Sequence, residues 1–375
     1  MLINNIFRTK FNFKGLFVLL LIIFSFNTTS SIAGSSGDGE KFNAGEMILH
    51  HIGDAYEWHV FGNVSIPLPV IIYSSERGLD VFSSAHFHHG QDAYNGYRVL
   101  THEFAEAHHV EHGKFRMNKV VALKDDGSID EALTLSMYDI SITKNVANLI
   151  LSILFMLWLF LSVAKAYKRN HGKAPSGIQS LIEPIILFVK DDIAVSSIGE
   201  KKYKKYMPFL LTVFFFIWIN NLLGLVPFPP GGANLTGNIA VTMILALFTL
   251  VIVTVNANKA YWEHIFAMPG VPKGILLLLT PIEILGFFLR PFVLMVRLFA
   301  NITAGHIIAL SFFSLIFIFG EMSTGLGYGV SVVTLAFTVF MTMLELLVAF
   351  LQAYVFTFLS AIYFGAAVEE HHHDH

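Results

Sequence analysis

The chain has 375 residues, of which 54% are hydrophobic and 14% are charged, and its mean hydropathy is +0.62. Soluble globular domains carry about 25% charged residues, so this composition excludes an ordinary soluble domain and favours a protein of the lipid bilayer. The formal net charge of -3 gives no basic field for nucleic acid. The absence of cysteine excludes disulfides, thiolate metal sites and cysteine nucleophiles.

Residues 1–33 have the pattern of a secretory signal peptide. Basic residues come first, an apolar core covers residues 15–26, and small residues at 31–33 offer a cleavage site. A dozen apolar residues is short for a span, which needs about 20, so a cleaved signal is predicted. The alternative is an uncleaved N-terminal anchor, and both place the following segment outside the cytoplasm.

Residues 34–143 form a polar segment that is rich in histidine, with ten of the 17 histidines between His50 and His112. We expect a small β-containing domain or a partly ordered extension on the extracytoplasmic side. Turn-rich stretches separate the runs of β-branched and aromatic residues. These runs predict strands at 64–73, 79–82 and 97–101.

Four of these histidines are candidate metal ligands. His86 and His88 would share one face of a strand, and His108 and His112 would share one face of a helix. Their spacing does not match the His-Glu-x-x-His pattern of zinc proteases. The alternative is a solvated surface whose charge responds to pH. No cofactor is predicted.

From residue 144 to residue 368 the chain predicts an all-α membrane domain. A segment at 175–199 is amphipathic, too polar to span, and predicts a helix on the membrane surface. Residues 325–329, rich in glycine, predict a turn between the last two spans, and residues 369–375 predict a cytoplasmic tail. The five predicted transmembrane helices cover residues 146–163, 207–226, 239–255, 275–319 and 330–364.

Two clusters of lysine and arginine indicate how these helices are oriented. One cluster follows the first span at residues 165–173 and the other precedes the second span at residues 201–205. Cytoplasmic loops carry an excess of positive charge, so this connection is predicted to be cytoplasmic. Five spans then place the N-terminal extension outside and the C-terminus in the cytoplasm.

The last two spans contain polar side chains in an ordered pattern. A charged side chain at mid-bilayer costs at least about 2.5–3.5 kcal/mol, so it needs a partner, water or a function. Intervals of seven residues, close to two helical turns, place Glu283, Arg290 and Arg297 on one face, which Asn301 shares. The polar side chains of these spans include Glu283, Arg290, Arg297, Asn301, His306, Glu345 and Gln352.

An antiparallel arrangement of these spans predicts a path for protons. With Arg297 level with Gln352, His306 lies about 13–14 Å and Glu345 about 10–11 Å toward the outer face. Glu283 lies about 21 Å toward the cytoplasm. Imidazole and carboxyl groups relay protons, whereas a guanidinium stays charged and blocks them. Such a path conducts only if a carboxylate of a partner carries the proton past the arginine.

Structural interpretations of the same residues remain open. His306 and Glu345 would also serve as a pair that fastens two helices together. Arg290 would pair with Glu283, extend to the membrane interface, or support the path.

Four segments of this sequence resemble the ATP synthase subunit a family. The most specific is 290–306, which reads RPFVLMVRLFANITAGH, and the others are 221–227, 236–238 and 351–356. The resemblance covers roughly residues 144–368. It implies one span, a surface helix, a helical hairpin and two long tilted helices that wrap a rotor.

The resemblance also implies roles for individual residues. Arg297 is implied to be the stator arginine that faces the carboxylate of the rotor c-ring, with Asn301 and Gln352 as its polar neighbours. The implied partners are the c-ring, subunit b of the peripheral stalk, and protons. The implied activity is non-catalytic, and no phosphate-binding loop occurs in the sequence.

The same resemblance implies that His306 and Glu345 form the pair of the outer half-channel. Glu283 is implied to be the carboxylate of the inner half-channel. Gly224 stands where some members carry an acidic residue. Two other hypotheses remain: a secondary membrane transporter, and a membrane-anchored extracytoplasmic metal-binding protein.

Overall fold

The computed structural model describes residues 43–61, 64–111, 113–170, 173–226, 229, 231–268 and 270–369. The predicted signal peptide lies outside the described residues, as does the predicted tail beyond residue 369. The described chain divides into two compact units. The first contains residues 55–144 and 226–232, and the second contains residues 45–54, 145–225 and 233 onward.

The elements are named here in chain order. They are α1 (Ala44–Ile52), β1 (Glu57–Phe61), β2 (Val64–Pro67), β3 (Pro69–Ser74), β4 (Gly78–Ser83), a 3₁₀ helix (Ser84–Gly90), β5 (Tyr97–Val99), α2 (His102–Ala107), β6 (Val120–Ala122), α3 (Glu131–Ser136), β7 (Tyr138–Asp139), α4 (Lys144–Arg169), α5 (Ile178–Phe188), a π-helical turn (Val189–Val195), α6 (Ser196–Ile198), α7 (Tyr203–Leu225), α8 (Ile239–Asn256), α9 (Lys259–Ala267), α10 (Lys273–Met322) and α11 (Thr324–Val368).

The first unit is built from three small antiparallel sheets. β3 lies between β4 and β7, while β1 pairs with β2 and β5 pairs with β6. Val70, Ile72, Phe87 and Tyr97 fill the core between them. The Tyr97 hydroxyl donates to Asp80 over 3.0 Å, and burial together with this acceptor raises the pKa of the Tyr97 hydroxyl. The prediction of a small β-containing region is confirmed.

The predicted strand at His86 and His88 is wrong, because both lie in the 3₁₀ helix. The Ser83 hydroxyl accepts the backbone N–H of Ala85 and starts that helix. His88 and His89 then take positive φ angles of 40° and 59°, which end any extended conformation.

The predicted helix face at His108 is also wrong, because α2 ends at Ala107. His108 caps that end, and its ring lies 4.0 Å from the ring of Phe104, measured between centroids. A one-turn helix leaves no second turn on which His112 could follow. His112 itself lies outside the described residues.

The second unit contains five helices that are long and apolar enough to cross a membrane, counted over the residues that the structure describes: α4, α7, α8, α10 and α11. The prediction of an all-α membrane protein with five transmembrane helices is confirmed. The first of these helices begins with a capped N-terminus, because the Asp54 carboxylate accepts the backbone N–H of Asn145 over 3.1 Å.

The amphipathic segment is helical, but its middle is a π-helical turn that the sequence did not predict. α5, the π-helical turn and α6 follow one another without a break. The wider turn keeps Val189, Ile193 and Ala194 buried while Asp191 and Asp192 face outward.

The predicted turn at 325–329 is wrong, because these residues form the first turns of α11. The chain reverses instead at Ser323, which has extended backbone angles. Gly327 lies so close to Gly320 that a Cβ atom on it would come within 2.9 Å of the Gly320 Cα. These glycines therefore permit a close crossing of two helices, a role that sequence pattern does not distinguish from a turn.

The end of α11 is held by residues from two other parts of the second unit. The backbone N–H of Asn258 donates to Ala367 O over 2.9 Å, and Lys202 Nζ donates to Val368 O over 2.7 Å. The Asn258 side chain reaches Glu369 O over 2.6 Å. The last carbonyls of a helix lack intrahelical partners, so these three donors cap the C-terminus of the longest helical hairpin.

Candidate functional site

Arg297 lies on an open face of α10. Arg297 and Asn301 are exposed, whereas Leu294 and Leu298, on the packed side of the helix, are each only 1% exposed. The exposed neighbours of the arginine along this face are apolar and mostly small: Val293, Val296, Ala300 and Ala304. The guanidinium therefore stands in an apolar surface rather than in the packed interior.

The Glu345 side chain lies against α10 at Gly305. A Cβ atom on Gly305 would come within 2.8 Å of Glu345 Oε1, so the missing side chain of the glycine makes room for the carboxyl group. Glu345 Oε1 is buried and has no hydrogen-bond partner among the described residues. A buried carboxyl oxygen without a hydrogen-bond partner is energetically costly.

His306 follows Gly305 directly in α10, and its ring lies near Gly224 at the C-terminal end of α7. A Cβ atom on Gly224 would stand 3.8 Å from His306 Nε2 and 3.6 Å from the carbonyl oxygen of Ala233. Because Gly305 touches Glu345 and His306 is the next residue, the imidazole and the carboxyl group lie at closely similar heights along the helices.

The register of α10 against α11 is fixed by contacts along the pair. Besides the Gly320–Gly327 crossing and the contact of Glu345 with Gly305, the rings of Phe312 and Phe337 lie 3.9 Å apart. Continuing this antiparallel register brings Gln352 to the level of Arg297 and Leu298. Gln352 is buried, whereas Arg297 faces outward.

Buried amide side chains join α7 to α4 and to α11 by hydrogen bonds. Asn221 donates to Ala349 O over 3.2 Å and accepts the Thr236 hydroxyl over 2.6 Å. Asn148 donates to Asn220 over 3.3 Å. Asn148 lies at the start of a uniformly apolar run, so the sequence pattern alone did not indicate its interhelical role.

Arg290 forms its hydrogen bond with a tyrosine. Its Nη1 donates to the hydroxyl of Tyr261 over 3.2 Å, and its guanidinium lies 5.8 Å from the ring centroid of Tyr363. Within the described residues it forms no ion pair with Glu283. The hypothesis of an Arg290–Glu283 pair is therefore not supported.

The charges of Arg290 and Glu283 both affect the pKa of the Tyr261 hydroxyl. Burial raises the pKa of the Tyr261 hydroxyl, Arg290 opposes that shift, and the charge of Glu283 adds to it. The phenol therefore stays protonated at neutral pH and accepts the arginine N–H. A cavity of about 160 Å³ opens beside it, and its polar lining is Tyr261, His264, Arg290 and Glu369. Sequence reasoning missed Tyr261, which lies in α9, a short helix between spans that Asn258 caps.

Three histidines of the first unit each contact a different side chain. His86 stacks on Tyr94 with 4.1 Å between ring centroids, His88 Nδ1 lies 2.7 Å from Asp92, and His89 Nδ1 lies 2.7 Å from Glu57. Over the described residues, no group of three or more histidine, aspartate or glutamate side chains is arranged to hold a metal ion.

The described residues contain five helices able to cross a membrane, and the last two carry ionisable side chains away from their ends, which is typical of a multi-pass membrane protein that translocates ions. Residues 146–365 match the family described as ATP synthase A chain. The chain belongs to this family. Residues 47–140 match a second family, described as a domain of unknown function, DUF8433.

Curated relatives are similar over the same region. The chain is 41% identical to ATP synthase subunit a of Chloroherpeton thalassium over 244 residues, which cover 64% of this chain and 69% of the relative. It is 38% identical to ATP synthase subunit a of Chlorobium phaeobacteroides strain BS1, covering 74% of this chain and 77% of the relative. With ATP synthase subunit a of Myxococcus xanthus it shares 40% identity, covering 63% and 76%.

Proposed function

We propose that this chain is the proton-translocating subunit a of an F-type ATP synthase. It provides two offset aqueous half-channels and a stator arginine that faces the carboxylate of the c-ring, and so couples proton flow to rotor rotation and ATP synthesis. The observation that carries the proposal is the exposed guanidinium of Arg297 on the apolar face of α10.

An arginine on the lipid-facing side of a membrane helix is unstable unless a partner compensates its charge. The cost of such a charge at mid-bilayer is at least about 2.5–3.5 kcal/mol. The small neighbours Ala300 and Ala304 allow another helix to approach closely. A carboxylate on that helix would supply the countercharge. This chemistry fits the c-ring.

The outer half-channel is assigned to His306 and Glu345. Their contacts at Gly224 and Gly305 support this assignment, because they are consistent with two titratable groups at similar heights, about 13–14 Å from Arg297 along the helix. A proton that enters from the outer face reaches this pair and passes to the carboxylate of the ring. Asn301 and Gln352 flank the point of transfer as polar neighbours of the arginine.

The inner half-channel is assigned to Glu283, which lies about 21 Å from Arg297 on the other side. Arg290 and Tyr261 support it and line the cavity that opens near the end of α11. The ring delivers each proton here after rotation. Because Arg297 stays charged, it prevents a proton from passing directly between the two half-channels.

The chain is proposed to be non-catalytic and to need no cofactor, since ATP chemistry takes place on other subunits. Its proposed partners are the c-ring, subunit b of the peripheral stalk, protons and the lipid bilayer. The clusters of lysine and arginine at the end of α4 and the start of α7 support a cytoplasmic C-terminus and an extracytoplasmic first unit in the cell membrane. Nucleic acid has no role.

The test is to measure proton-driven ATP synthesis in vesicles that contain the complete complex with Arg297→Ala. We expect the rate to fall at least about a hundredfold, because losing the fixed cation removes the barrier between the two half-channels and opens a proton leak. Lys259→Ala is the matched control, since the Lys259 side chain is 90% exposed outside the spans. Normal synthesis by Arg297→Ala would contradict the proposal, and solute uptake without partner subunits would favour a transporter.

A further inference from the structure

The cavity beside Tyr261 lies wholly within the second unit, near the end of α11. Two small residues, Ala260 of α9 and Ala366 of α11, form part of its wall and leave the space unfilled. Its volume is about 160 Å³, and one water molecule takes up about 30 Å³ of the liquid, so several waters fit. Water enters it readily because four polar side chains line it: Tyr261, His264, Arg290 and Glu369.

His264 lies on the face of α9 that borders this cavity. Ala260 and Tyr261 stand four and three residues before it, a spacing that places side chains on one face of a helix. The other charged residues of α9 pair with each other, since Lys259 Nζ lies 3.3 Å from Glu263 Oε1, and neither is among the described residues of the lining. Because His264 is also exposed, its ring touches both the cavity and the solvent.

The polar groups around this cavity differ in whether they exchange protons. Arg290 stays charged, so it cannot relay a proton. The Tyr261 hydroxyl stays protonated at neutral pH, because burial raises its pKa. Histidine is the side-chain type that gains and loses a proton between about pH 5 and 8, so His264 is suited to exchange. The Glu369 carboxylate on the same cavity offsets the charges of Arg290 and of a protonated His264.

Glu283 of α10 acts on this cavity through Tyr261. The charge of Glu283 contributes to the raised pKa of the Tyr261 hydroxyl, so the two groups are near each other. The Arg290 guanidinium donates to that hydroxyl over 3.2 Å and holds the phenol in the wall of the cavity. The water-filled space thus offers a proton that leaves Glu283 a route along this wall to His264.

We propose that His264 is the group that releases protons from the inner half-channel to the cytoplasm. One ring nitrogen takes up a proton from water in the cavity. A ring nitrogen then gives a proton to a water molecule or a buffer base outside, and the imidazole returns to its neutral form. The inference rests on the function proposed above, because it needs proton flow past Glu283, and it extends the inner half-channel to a titratable mouth.

Proton release is tested by the rate of ATP synthesis in vesicles that hold the complete complex with its cytoplasmic side outward, at low buffer concentration. Glutamine keeps hydrogen-bonding groups but does not titrate. We expect His264→Gln to lower the rate per assembled complex about tenfold, less than the ~10²–10⁴-fold effect of a typical general acid or base, because cavity water still carries some protons. Glu263→Gln is the matched control, since the Glu263 side chain is 51% exposed on the same helix, and its rate should be unchanged.

Chemical rescue separates a ring that exchanges protons from a ring that only supports the structure. Imidazole added on the cytoplasmic side should restore most of the rate to His264→Ala, because the free ring fills the space left by the side chain and titrates near neutrality. Pyrazole is a ring of the same size that is not protonated near neutral pH, and it should restore nothing. Failure of imidazole to rescue, or equal rescue by pyrazole, would overturn the proposal.

The same assay distinguishes failure of this inference from failure of the proposed function. A normal rate for His264→Gln at low buffer concentration, with Arg297→Ala inactive, would defeat the inference alone. Normal synthesis by Arg297→Ala would instead defeat the proposed function, whatever the result at His264.

Discussion

Glu345 owes its place to the glycine opposite it. The carboxyl oxygen occupies the volume that a side chain at residue 305 would take. The sequence spacing predicted that Glu345 and His306 come close in height, because two antiparallel helices have a calculable rise per residue. It could not predict that Gly305 is the surface on which the carboxyl rests, since a glycine in an apolar helix carries no pattern of its own.

Gly305→Ala tests this packing directly. The added methyl group would stand 2.8 Å from Glu345 Oε1, so the carboxyl must move or the helices must separate. Overpacking of this kind costs about 1–3 kcal/mol, and we expect proton-driven ATP synthesis to fall about tenfold or more. Gly286→Ala in the same helix is the control, because nothing lies within 4 Å of its Cβ position. Equal rates for the two variants would show that the position of the carboxyl is immaterial.

Other residues of the site lay beyond sequence reasoning for a related reason. Arg290, with its seven-residue spacing, was found, but its partner Tyr261 comes from a short helix between spans. Within the first unit, the indole N–H of Trp58 in β1 likewise donates to Gly231 O, 173 positions along the chain. A hydrogen bond over such a separation depends on tertiary packing, which neither periodicity nor local composition encodes.

At the level of helices and strands, the long apolar runs predicted the membrane-spanning helices correctly. A segment in lipid must form its backbone hydrogen bonds internally, so a long apolar run folds as a helix. All five predicted helices are present among the described residues. β6 and β7 have three and two residues, too few to show an alternating pattern. The glycine-rich residues 325–329 predict a turn, but they form helix instead, because glycine marks turns and close helix contacts alike.

A second close contact, at Gly365 in α11, gives an element-level prediction. A Cβ atom there would come within 2.1 Å of the Ser197 backbone oxygen, so α6 and α11 pack at a distance that only glycine allows. We expect Gly365→Ala to destabilise the protein by about 1–3 kcal/mol or more and to lower its thermal unfolding temperature in detergent.

Gly329→Ala is the control for that measurement. Gly329 lies in the same helix, and nothing stands within 4 Å of its Cβ position. An alanine there should leave the unfolding temperature unchanged or raise it slightly, since alanine favours helix more than glycine does. If Gly365→Ala melted at the temperature of Gly329→Ala, the close packing of α6 on α11 would have no energetic importance.

For the molecule as a whole, the absence of cysteine makes its orientation in the membrane measurable. We expect Leu79→Cys in the first unit to react with an impermeant maleimide from outside intact cells. Lys201→Cys, between the surface segment and α7, should react only after the membrane is opened. Both residues are exposed in the structure, so access through the membrane is what the comparison reports. The reverse labelling pattern would invert the proposed orientation.

The hairpin of α10 and α11 is fastened near both of its ends. At one end Gly320 and Gly327 interlock, and at the other Asn258 and Lys202 tie down the last carbonyls of α11. If the proposed ring pushes sideways on the open face around Arg297, it meets a hairpin whose two helices hold each other at the turn and whose C-terminal end is bonded to other parts of the second unit. Such a hairpin resists bending, so less of each rotational step would be lost in deforming the stator.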